Sequence, residues 1–130
     1  MAPSILVVED DPLARNLICW FLRKEEYEIA EAGDGAEALE ILKGRRFDLV
    51  ISDFVMPKLD GLKLVEHLHA VSPRTPVIFT TGYLSRDSGQ KILQGMASFI
   101  QKPINFELLR ESVKRALSPV PARDPADQDD

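Results

Sequence analysis

The sequence has one cysteine, Cys19, so no disulfide can form within the chain and a reducing compartment is the expected setting. No apolar run comes near the roughly 18 residues of a membrane-spanning helix. The first residues, MAPSILVVEDD, carry no basic region and reach acids at once, unlike a secretory signal. Positive charge is not in excess either: 16 bases face 21 acids, for a net −5. From Pro119 onward Arg123 stands against Asp124, Asp127, Asp129 and Asp130, which leaves a net charge of −2 on the rest. Such a body has no electrostatic footprint for nucleic acid. The expectation is a cytoplasmic protein with no direct nucleic-acid partner and no membrane insertion.

What is present suits one domain. With 130 residues, 45% hydrophobic and 28% charged, the chain can bury a real core. Residues 4–8 (SILVV) form a short apolar run, read as a buried strand. Glu9, Asp10 and Asp11 follow, and Pro12 suits a helix's first turn. Ala14, Leu17, Ile18 and Phe21 then recur at helical spacing and predict that helix's core face. Residues 28–32 make a weaker strand. Asp34 with Glu37 three residues later reads as a capping box, opening a helix that buries Ala38, Leu39 and Leu42 and ends near Gly44.

The centre of the pattern is FDLVISDFVMPKLDG, residues 47–61. Leu49, Val50 and Ile51 predict a buried strand that stops at Asp53. Pro57 forbids its continuation, and Asp60 and Gly61 start a third helix that buries Leu62, Val65 and Leu68. Residues 76–80 predict a fourth strand ending in Thr80-Thr81-Gly82, and 98–101 a fifth closed by Lys102-Pro103. Between them, 85–94 is a weak helix: it has few apolar residues and carries Gly89, so a short or mobile element is expected. Asn105 caps a last helix with Phe106, Leu109, Val113 and Ala116 facing inward. Residues 119–130 have prolines and acids and little to bury, so a disordered acidic tail is expected beyond a domain of residues 1–118. With so short a tail, no effector domain is expected to follow.

Five strand–helix alternations predict an α/β fold, a doubly wound parallel sheet covered on both faces. The carboxyl ends of its strands then bring Asp10, Asp11, Asp53, Thr81 and Lys102 to one edge, where such sheets place their ligands. Three crowded carboxylates repel one another, and a hard divalent cation with oxygen ligands resolves that. A lysine and a hydroxyl beside them suit a phosphoryl group. A carboxylate can be the nucleophile in phosphoryl transfer. The chemistry read from the residues is Mg²⁺-dependent phosphorylation of Asp53.

VVEDD, SDFVMPKLDG, TTGY and FIQKP, in that order, resemble the receiver domain of two-component response regulators, the CheY-like family. The likeness covers about residues 4–118. It implies the flavodoxin-like (βα)5 fold with strand order 2-1-3-4-5. It implies that Asp53 takes a phosphoryl group from a histidine kinase or histidine phosphotransfer protein. Asp11 would bind Mg²⁺ (or Mn²⁺) directly and Asp10 through water, with the main-chain carbonyl of Val55 as a further ligand. Lys102 would pair with the phosphoryl group and Thr81 would hydrogen-bond to it. Phe99 would be the aromatic switch, altering the surface of the fourth helix, fifth strand and fifth helix for a downstream protein target. Val55 and Tyr83 flank the site at positions that tune phosphoaspartate lifetime, and Gly82, where alanine is more usual, should loosen that loop.

Other readings stand beside these. Thr80 is the rival of Thr81, and the spacing to Gly82-Tyr83 favours Thr81. Phe99 also reads as plain core. His67 and His69 read as surface residues. Leu13 and Trp20, seven apart on the first helix, are either partly buried against a neighbour or an exposed docking or homodimer surface. A homodimer could also form through the fourth-helix, fifth-strand and fifth-helix surface. A turnover enzyme of the haloacid-dehalogenase type would want an acid at Val55, and a scaffold would not need the full set of site residues. The favoured reading is a phosphorylatable switch that assists its own phosphotransfer and autodephosphorylation.

Overall fold

A computed structural model describes residues 2–54, 61–82 and 97–118, apart from the side chains of 61, 62 and 97. The β-branched and apolar runs form strands where expected. β1 is Ser4–Val8, β2 Glu28–Ala32, β3 Leu49–Asp53, β4 Val77–Thr81 and β5 Ala97–Gln101. The helices are α1 Pro12–Lys24, α2 Gly35–Gly44, α3 Gly61–Val71 and α4 Phe106–Leu117. All strand pairs are parallel, in the order β2-β1-β3-β4-β5. The weak helix expected over 85–94 and the tail expected from 119 lie outside the described residues.

Period-two alternation sorts the strand side chains onto two cores. Leu6, Val8, Val50 and Phe79 pack with Ala38 and Leu42 of α2 and Leu64, Val65 and Leu68 of α3. Ile5, Val7, Ile51 and Ile78 pack with Ile18, Cys19 and Leu22 of α1 and Leu109 and Val113 of α4. The sheet is therefore covered on both sides, and its strand ends remain as the exposed edges. Side-chain caps start the helices: Asp34 accepts from the Glu37 N–H, and Asn105 from those of Glu107 and Leu108.

One helix is phased differently from the expectation. The core face of α1 is Ile18, Cys19 and Leu22, while Leu17 is exposed. Ile18 and Phe21 pack on the core as expected, and Cys19 and Leu22 join that face in place of Leu17. Leu13, Leu17 and Trp20 then line the outer face, at 68%, 49% and 60% exposure, so the partial burial considered for Leu13 and Trp20 does not occur among the described residues. The expected burial of Leu62 concerns a side chain outside the description. Leu64, not anticipated, is fully buried beside Val65 and Leu68.

Candidate active site

The carboxyl edge of the sheet is where charge goes inside. Asp53 ends β3 and is buried, as are Glu9 and Thr81. The Lys102 ammonium reaches two carboxylates at once, Asp53 Oδ2 at 3.3 Å and Glu9 Oε1 at 3.4 Å. Its position is set by β5, because the Lys102 N–H donates to the Thr81 carbonyl at 2.8 Å and so continues the β4–β5 ladder. Carboxylate oxygens of Glu9, Asp10 and Asp53 all lie within 4.8 Å of one another, with Asp10 exposed at the rim.

Burial raises the Glu9 carboxyl pKa, and the nearby Asp53 adds to the rise. The Asp11 N–H and Lys102 lower it without reversing it. Burial works against the Lys102 ammonium, but the charges of Asp53 and Glu9 outweigh it, so its pKa lies above the ordinary lysine value. One ammonium thus serves two crowded acids while a third waits at the rim. That donor set, oxygen only and in excess of its neutralising charge, fits a hard divalent cation.

The structure brings together most of the residues the sequence indicated. Asp10, Asp53 and Lys102 share the site, with Thr81 at the neighbouring strand end. Asp11 does not join the cluster. Its carboxylate caps α1, accepting from the Leu13 N–H at 3.1 Å, and its own N–H donates to Glu9 Oε2 at 3.2 Å. The sequence pointed to Asp10 and Asp11, and the structure gathers Glu9 and Asp10 around Asp53. The ladder holds the missed signal. Val8 pairs with Ser52, so the next step sets Glu9 beside Asp53. The Glu9 N–H still bonds to the Ala32 carbonyl at 3.0 Å, one hydrogen bond past the strand's last residue.

Thr80 is buried in β4, and Thr81 is that strand's last residue. Phe99 is half-buried and packs with Phe54 and Phe79, with ring centroids 5.6 Å away in both cases. The main-chain carbonyl of Val55 and the side chain of Tyr83 lie outside the described residues. Gly82 is exposed, and a Cβ added there would meet nothing within 4 Å. His69 is exposed and His67 half-buried, both away from this edge. Burial pushes the Cys19 thiol up to about 11, consistent with an inert core residue.

A buried aspartate, a bridging lysine and a rim of acids at the carboxyl edge of a β2-β1-β3-β4-β5 sheet define a receiver-type α/β domain. Residues 5–114 match the response regulator receiver domain, and the chain belongs to that family. Over 114 residues it is 37% identical to the transcriptional regulatory protein GlrR of Escherichia coli K12, covering 87% of this chain and 26% of that one. It is 33% identical over 110 residues to the sensor histidine kinase RcsC of the same organism, covering 84% of this chain and 12% of RcsC. The chain thus spans about a quarter or less of these relatives. Among solved structures, a CheY-like receiver domain from Methanospirillum hungatei superposes with a TM-score of 0.87 at 29% identity, covering 95% of this chain and all (100%) of that one. The response regulator TrrA from Thermotoga maritima, in complex with Mg²⁺ and BeF, superposes with a TM-score of 0.79 at 34% identity, covering 90% of this chain and 100% of TrrA.

Proposed function

We propose that Asp53 accepts a phosphoryl group from a histidine kinase or histidine phosphotransfer protein, and that the domain works as a switch rather than a turnover enzyme. The observation that carries this reading is the buried Asp53 carboxylate, paired with Lys102 and crowded by Glu9 and Asp10. A carboxylate oxygen of Asp53 attacks the donor phosphorus. The P–O bond forms as the donor's P–N bond breaks, and the departing imidazole takes up a proton. Lys102 then moves from sharing Asp53 and Glu9 to pairing with the transferred group, and the Thr81 hydroxyl would donate to it. Glu9, Asp10, Asp53 and the Val55 carbonyl would hold Mg²⁺, with Mn²⁺ as a substitute. Bound there, the cation would offset charge on the phosphoryl oxygens.

Loss of Lys102 from the Asp53–Glu9 pair gives the switch a local cause. Phe99, now packed on Phe54 and Phe79, is the side chain whose rearrangement would alter the surface of segment 85–94, β5 and α4 for a downstream protein. The exposed face of Leu13, Leu17 and Trp20 begins at Leu13, whose N–H is capped by Asp11, and suits docking of the phosphodonor protein. A homodimer through either surface, a cytoplasmic location and shielding of the phosphoaspartate by Val55 and Tyr83 complete the proposal.

The test is intact mass after incubation with acetyl phosphate and Mg²⁺. A single phosphoryl adduct, lost in Asp53→Asn and without metal, is expected; an adduct that survives in Asp53→Asn would refute the assignment. Trp20→Ala should slow transfer from the partner protein but not from acetyl phosphate, and equal slowing would refute docking. Tyr83→Ala should speed dephosphorylation.

A further inference from the structure

Arg15 closes the first turn of α1, and its side chain folds back past the helix start. Its Nη1 donates to the Glu9 main-chain carbonyl at 2.8 Å, the shortest of its contacts. Its Nε donates to Glu31 Oε1 on β2 at 3.3 Å, and Arg23 holds the other oxygen of Glu31 at 3.2 Å. Helical side chains lean toward the amino terminus, and a planar guanidinium can grip a carbonyl and a carboxylate together.

The carbonyl that Arg15 holds belongs to the peptide joining Glu9 to Asp10. Two of the three acids of the proposed cation site, Glu9 and Asp10, therefore hang from one peptide group. Other contacts fix the Glu9 N–H and carboxylate, through Ala32, Asp11 and Lys102. Arg15 fixes the carbonyl between the two carboxylate-bearing residues. We propose that Arg15 is a positioning residue for the Glu9–Asp10 cation site, holding their shared peptide so that both carboxylates converge with Asp53. The inference rests on the cation-site reading above.

A second feature reports on the same contact. A Cβ built on Gly33 would lie 3.3 Å from Arg15 Nη1 and 3.5 Å from Glu37 Oε1. Gly33→Ala therefore presses on the guanidinium while keeping its charge. If Arg15 were only part of a partly exposed ion network, little would follow from disturbing it. Its charge alone predicts the opposite sign, because deleting a cation beside an acidic cluster should tighten cation binding.

The experiment is calorimetric titration of metal-free protein with MgCl2, comparing the parent with Arg15→Met, Arg15→Lys, Gly33→Ala and Arg23→Met. Removing a partner that orients metal ligands typically costs about 10- to 100-fold in affinity, so Arg15→Met should weaken Mg²⁺ binding about tenfold. Arg15→Lys, which keeps charge but not the fork, should fall between parent and Arg15→Met. Gly33→Ala should show a smaller loss in the same direction. Arg23→Met, which disturbs Glu31 without touching the Glu9 carbonyl, should bind like the parent. Unchanged or tighter binding by Arg15→Met overturns the proposal, as does loss in Arg23→Met equal to that in Arg15→Met. Should circular dichroism show Arg15→Met unfolded, Arg15→Lys decides: weaker binding supports positioning and unchanged binding overturns it. A parent that binds no Mg²⁺ would refute the cation site itself, a separate outcome.

Discussion

The turn from β1 into α1 and the turn from β2 into α2 are two versions of one strand-to-helix unit, and they use their acids differently. After β2, Asp34 accepts from the Glu37 N–H and Glu37 accepts from the Gly33 N–H, both at 2.8 Å. This analogue of a capping box, in which Glu37 reaches the residue before the cap, gives each acid a backbone partner. After β1 there are three acids, and the cap needs one. Asp11 takes that role with the Leu13 N–H. Glu9 and Asp10 are left to meet Asp53, and Lys102 bridges Glu9 and Asp53. The difference teaches that a site is announced by acids in excess of what the helix start can use, rather than by acids as such.

The largest expected effect lies on the side with the surplus. Lys102→Met should slow adduct formation from acetyl phosphate about 100-fold or more, the usual scale for deleting a preorganised charge at a transferring group. A rate within a few-fold of the parent would mean that Lys102 merely neutralises the edge.

Next come the caps, where the two turns should behave alike. Asp11→Ala and Asp34→Ala should each lower stability by about 1 kcal/mol in urea unfolding, the common cost of losing an N-cap. If either variant proved as stable as the parent, that carboxylate would not be acting as a cap.

The smallest effect expected is a pH dependence confined to the first turn. The folded pKa of Glu9 is raised above 4.5, chiefly by burial. The folded state thus favours the neutral acid, a contribution present below that ordinary value and lost as pH rises through the raised one. Metal-free Glu9→Gln should therefore melt higher than the parent at pH 7.5, with the gap closing as pH falls to about 4.5. A gap that widened on acidification would mean that the ionised Glu9 is held favourably by Lys102.

Much of this was legible in the sequence because strong local signals agreed with the fold. β-branched runs made β1, β3 and β4, and Asp34 and Asn105 capped the helices they precede. Asp53, Thr81 and Lys102 could be placed because each stands where an apolar run ends. Glu9 also stands where an apolar run ends, but three acids follow that run and only the register of β1 on β3, with Val8 opposite Ser52, singles out Glu9 as the one beside Asp53. The phase of α1 was missed for another reason. Leu17 and Cys19 both read as apolar, and only packing against the sheet decides that the smaller one goes inside. The apolar outer face that results could not be told from a second core face by periodicity.

The contrast between the turns is tested most directly by intact mass of Asp10→Asn and Asp11→Asn after exposure to acetyl phosphate at limiting Mg²⁺. Asp11→Asn should carry the phosphoryl adduct as the parent does, since asparagine still caps a helix, and Asp10→Asn should lose it. The reverse pattern, an adduct on Asp10→Asn and none on Asp11→Asn, would contradict the assignment of Glu9 and Asp10 as the acid pair.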